Sequence, residues 1–197
     1  MTRSILRFCA AAIVFAPVAA SAHVGIGATH GFAHGFSHPL SGIDHVLAMI
    51  AVGLFAAHLG GLALLLVPLV FVSVMTLAGI AGMAGVRLPF AELGIAMSVI
   101  VLGLAIVSQI RVPTLVAMTL VGFFAIFHGH AHGLEMPETV SGLSYGVGFI
   151  CATALLHAVG VGLKFALENT GQVCGLRIVQ IAGSAMVITS IAILIPS

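Results

Sequence analysis

Residues 38 to 49 read HPLSGIDHVLAM, and three ionisable side chains, His38, Asp44 and His45, stand there at the mouth of a long apolar segment. An aspartate is costly where lipid-facing sequence begins, because a charged group at mid-bilayer costs roughly 2.5 to 3.5 kcal/mol on insertion scales. The chain has only five acidic residues, so this one is not surplus surface charge. A cation held jointly by the imidazoles and the carboxylate would offset the cost. The other histidines become intelligible if they serve the same ion.

Composition supports that starting point. Hydrophobic residues make up 61% of the 197 and charged residues 6%, too few polar groups to cover a water-soluble globule, so the chain reads as an integral membrane protein. Six Lys and Arg against five acids leave no basic patch for nucleic acid. There is no phosphate-cradling GxxxxGK[ST] loop, which argues against transport driven by an ATPase of its own. Cys9, Cys151 and Cys174 have no CxxC spacing and indicate no disulfide framework. The informative excess is ten histidines, six of them between residues 23 and 58 and three within HGHAH at 128 to 132.

In chain order, residues 1 to 22 have the layout of a cleavable secretory signal: Arg3 and Arg7, the apolar run FCAAAIVFAPVAA, and a small-residue end. Cys9 lies at the start of that run rather than after it, which speaks against a lipoprotein attachment site. Residues 23 to 38 are rich in Gly and His and read as a head on the translocated side, with His30, His34 and His38 four apart and His23 at the new N-terminus. Residues 39 to 197 then form an all-α transmembrane domain of six spans, at about 39–58, 62–83, 89–108, 113–132, 139–163 and 175–195. Pro39 fits the first helical position of the first span, which His58 closes at the opposite surface. Pro68 sits mid-way in the second span, whose GIAGMAG end offers small residues for close helix contact, as Gly142 and Gly146 do in the fifth. A cleaved signal puts Arg111, Lys164 and Arg177 in cytoplasmic turns and Arg87 in an outer one, and the positive-inside rule agrees.

With this topology the N-terminal histidines, Asp44, His45, Glu92 and the FHGHAHGLE run at 127 to 135 all lie at the outer face. On an ideal helix His38 and His45 are nearly eclipsed and Asp44 is rotated about 100° from His45, so two groups can face the bundle interior while the third orients a neighbour. His128 and His132 share a face with Glu135 three residues beyond, whereas His130 projects to the other side unless Gly129 or Gly133 breaks the helix. Imidazole nitrogen with a minority of carboxylate oxygen suits Ni(II), Co(II), Zn(II) or Cu(II), whereas Mg(II) and Ca(II) want nearly all oxygen. Blander readings stand beside this one. Glu92 suits a helix N-terminus as a cap, His157 inside the fifth span could be an interhelical hydrogen-bond donor, and His58 an interfacial residue. Two His and acid clusters brought to one surface are harder to read as structural, because ionisable groups in spans are functional by default.

HPLSGIDHVLAM resembles the HxxxxxDH signature, and FHGHAHGLE the FHGxAHGxE signature, of the HupE/UreJ family of small membrane proteins associated with the nickel enzymes hydrogenase and urease. The resemblance extends over the signal and six spans. It implies secondary import of Ni2+, or in some members Co2+, from the periplasm across the bacterial inner (cytoplasmic) membrane, with the mature N-terminus periplasmic. Metal-contacting roles are implied for His38, Asp44, His45, His128, His132 and Glu135; His130 occupies the variable position. His23, His30, His34, Glu92, His130 and His157 are further candidate ligands, with His157 a second station on the cytoplasmic half. No prosthetic group is expected, and the partners are the transported ion and the lipid bilayer, with a homo-oligomer compatible. Two rivals stand against import: a metal-binding accessory subunit or sensor of a larger importer, and an intramembrane hydrolase. The hydrolase lacks HExxH, and Ser144 of GLSYG and His157 are about 20 Å of helical rise apart, so the chain is read as no enzyme.

Overall fold

The computed structural model describes residues 28–137, 140–168 and 172–194; the expected signal and His23 lie outside these. The described residues form seven α-helices and no strand: α1 (Ala28–Ser41), α2 (Ile43–Leu59), α3 (Ala63–Met83), α4 (Ala91–Val107), α5 (Thr114–Leu134), α6 (Gly142–Glu168) and α7 (Gln172–Leu194). By length and composition α3, α5 and α6 can each cross a membrane, and α1 with α2, bent by 87°, make a fourth candidate as a broken span or re-entrant loop. The apolar stretches Ala91–Val107 and Arg177–Ala192 are shorter. At 1.5 Å per residue the 17 residues of α4 rise about 26 Å, a few ångströms under a hydrocarbon core of about 30 Å.

The helix ends fall within a few residues of the expected spans except in the first. There the chain does not start a helix at Pro39. Pro39 lies inside α1, and the break comes at Gly42, whose extended backbone (φ −101°, ψ 119°) is the N-cap of α2. The Ser41 hydroxyl donates to the His38 carbonyl at 2.6 Å, satisfying an acceptor that the break leaves without a helical partner. The 87° bend also removes the eclipsed relation of His38 and His45 expected on a continuous helix.

α2 is the central element. Every residue from Ala48 to Ala56 is buried, whichever way it points, because α3, α4 and α6 surround it. The outer helices expose large apolar side chains instead, among them Leu65, Leu77, Leu115, Phe123, Leu143 and Ile188. An arrangement that leaves large apolar side chains on the outside is stable in lipid, where burying them gains nothing.

Glycines let the helices approach to backbone contact. α3 and α5 run side by side in register, Gly129 against the Met75 backbone and Gly133 against that of Gly79. α2 crosses α6 where Gly53 meets His157 and Gly160, and α4 meets α7 at Gly103 and Gly183. In α6 the contact glycine is not Gly146, which has nothing within 4 Å of an added Cβ, but Gly148, which packs on the Phe32 backbone of α1. Gly35 reciprocates against Tyr145, so α1 is a helix whose glycines seat it on α6.

Candidate metal centre

The break at Gly42 creates the site. It ends α1 so that His38 reaches inward, and it starts α2 so that Asp44 falls in the first turn, where the positive helix end suits a carboxylate. Asp44 Oδ1 accepts from the backbone N–H of His45 at 2.9 Å and lies 2.9 Å from its Nδ1. With Nδ1–H donating to Asp44, the His45 lone pair resides on Nε2, which is buried and has no hydrogen-bond partner. This is the carboxylate–imidazole arrangement that orients a metal-ligating histidine.

α5 supplies the other half. His38 Nε2 lies 2.9 Å from Glu135 Oε2, and His132 Nδ1 lies 3.7 Å from the same oxygen. One ligand atom from each of His38, His132 and Glu135 can be chosen so that all lie within 4.8 Å of one another. The imidazoles continue inward from there. The His132 ring centroid is 4.8 Å from that of His38 and 4.3 Å from that of His45, and His45 is 5.1 Å from His128. Side-chain exposure is 53% at Glu135 and 20% at His38, 12% at His45 and 5% at His132 behind them, and His128 is wholly buried. The cluster is thus a funnel, with its exposed carboxylate at the mouth and neutral donors at the bottom.

α4 sets the protonation of the deepest imidazole. The Ser98 hydroxyl donates to the Ile95 carbonyl at 2.6 Å, which leaves its lone pair to accept from His128 Nε2 at 3.0 Å. Nδ1 of His128, unpartnered in the bundle, then carries the lone pair. Aromatic rings wall the site: Phe149 stands 4.4 Å from His132, and the fully buried Phe71 stands 5.6 Å from His128 and 5.2 Å from His157.

Six residues singled out in the sequence, His38, Asp44, His45, His128, His132 and Glu135, therefore meet at one end of the bundle although they come from α1, α2, α5 and the turn after it. The others are dispersed. His130 points away and bonds the Val86 carbonyl, a structural tie between α5 and the turn after α3. Glu92 is exposed in the first turn of α4 and is outside the cluster, which favours its capping role. The exposed His34 stacks 6.0 Å from His38 and 6.0 Å from Tyr145, at the rim. His58 is half-buried at the far end of α2, and the side chain of His30 lies outside the described residues. Ser98 and Phe71 were not legible as site residues, since a serine or phenylalanine in an apolar span has nothing in the sequence to set it apart.

A helical bundle that turns apolar side chains outward, with imidazoles and carboxylates gathered at one end, is that of a membrane protein. The chain belongs to the HupE/UreJ family: the family description "HupE / UreJ protein" matches residues 11–193. Protein HupE of Rhizobium leguminosarum bv. viciae is 42% identical to it over 180 residues, which cover 91% of this chain and 92% of that protein. No solved structure matches.

Proposed function

We propose that the chain imports a divalent transition-metal ion, Ni2+ or Co2+, from the periplasm through six spans of the bacterial inner membrane, for maturation of a nickel enzyme such as hydrogenase or urease. The observation that carries the reading is the funnel: four imidazoles and two carboxylates gathered at one end of a bundle that exposes apolar side chains elsewhere. HupE/UreJ proteins are associated with nickel and cobalt uptake for those enzymes, which supports the choice of ion. A cleaved signal puts the funnel on the periplasmic side and Arg111, Lys164 and Arg177 in the cytoplasm. The hydrated ion meets Glu135 and His38 first, exchanges water for His132, His45 and His128, and moves inward. Passage requires sites strong enough to desolvate the ion yet weak enough to release it.

The test is accumulation of radioactive nickel and cobalt by cells in which this chain is the only added component. Wild type accumulates metal, and His132→Ala lowers accumulation by more than about tenfold, as loss of a ligand or its support does. No accumulation by wild type favours an accessory subunit or sensor, and equal accumulation by both removes the site assignment.

A further inference from the structure

Below the funnel the bundle holds a second group of polar side chains. His157 of α6 is 2% exposed, and neither ring nitrogen has a hydrogen-bond partner. One turn earlier on α6, Thr153 is fully buried and its hydroxyl donates to the Met75 sulfur at 3.7 Å. Met75 and Phe71 are one turn apart on α3, and Phe71 packs edge-on against His157 at 5.2 Å. The pairs Phe71/Met75 and Thr153/His157 thus face each other across the α3–α6 contact, and His128 of the funnel also lies against Phe71. A buried imidazole with both nitrogens unpaired forfeits about 1 to 3 kcal/mol per group unless something binds it.

We propose that His157, Met75 and Thr153 form a second cation station inside the membrane, distinct from the outer cluster in carrying a thioether sulfur and no carboxylate. It rests on the import reading and deepens it. The buried polar residues in the described part of the bundle include no acid, so the inner donors are all neutral. Imidazole with thioether suits the later, softer metals, and a lone hydroxyl oxygen is too little for hard cations such as Mg2+ or Ca2+, which want nearly all oxygen. The inner station therefore selects for late transition metals a second time, and without a carboxylate it holds the ion more weakly than the funnel does.

The test is calorimetric titration of the purified full chain in detergent with nickel chloride, followed by X-ray absorption at the nickel edge. Two equivalents bind the wild type, one tighter and one weaker. The weaker is lost in His157→Ala and kept in His132→Ala. At saturation the spectrum shows a sulfur neighbour that is absent at one equivalent and disappears in Met75→Leu, a swap that keeps side-chain volume and so the fold. A single equivalent unchanged in His157→Ala, or a saturated spectrum without sulfur or unaltered by Met75→Leu, overturns the station. These outcomes separate from the import reading, because a chain that accumulates metal in cells yet binds one equivalent loses only the inner station.

Discussion

At the scale of single residues, what matters at the funnel is which nitrogen of each imidazole carries the lone pair. Asp44 decides this for His45 and Ser98 for His128, and neither needs to touch the ion to matter. Asp44→Asn keeps the shape but removes the negative charge that holds the His45 proton on Nδ1. Nickel affinity of the purified chain should fall by about 10- to 100-fold, the usual effect of losing such a partner. Ser98→Ala removes one neutral hydrogen bond of about 1 kcal/mol and should cost about fivefold. His130→Ala is the contrast: its ring bonds the Val86 carbonyl away from the cluster, so affinity should hold while the chain loses about 1 kcal/mol of stability. Equal affinity losses for Asp44→Asn and His130→Ala would contradict the geometry. The ligand candidates could be found in the sequence because an ionisable group in an apolar span stands out. Ser98 and Phe71 could not, because they have no such contrast and gain meaning only from the helix beside them.

At the scale of elements, helix positions are legible from apolar length, but the contacts between helices are not. The GIAGMAG end of α3 does pack as expected, through Gly79 and Gly82 against α5. The α6 pair Gly142 and Gly146 does not, because α1 crosses α6 where Gly148, not Gly146, faces it. The helix start that the sequence places at Pro39 moves to Gly42 for a similar reason. Pro39 can begin a helix or sit within its last turn, and its neighbours in sequence do not choose. Packing of Gly35 against Tyr145 does choose, by holding α1 helical past Pro39. Backbone contact between α3 and α5 positions His132, since Gly133 beside it lies against Gly79. Gly133→Ala places a methyl group on the Gly79 backbone and should cost about 1 to 3 kcal/mol as overpacking. Thermal unfolding in detergent should show that loss, together with weaker nickel binding as His132 is carried away from His38 and His45. Gly146→Ala, with open space around it, should change neither.

At the scale of the whole molecule, the funnel opens at one end only, and this makes its response to protons one-sided. The polar gradient runs from exposed Glu135 to buried His128, and below that the rings of Phe71 and His157 fill the path. Metal ligation needs neutral imidazoles, and an ordinary imidazole takes up a proton below about pH 6.5. Protons on the funnel side therefore compete with the ion for the same lone pairs. With the metal below saturation, so that competition is visible, uptake into right-side-out vesicles should fall as outside pH drops from about 7.5 to about 5.5. The same change inside the vesicles should have little effect on the initial rate, because those protons do not reach His38, His132 or His45. In inverted vesicles the dependence should switch to the lumenal side. A flat profile on both sides would mean that the imidazoles do not ligate the ion in its rate-limiting step. A dependence on cytoplasmic pH alone would mean that the funnel faces inward, and with it the orientation drawn from the signal and the positive turns would fall.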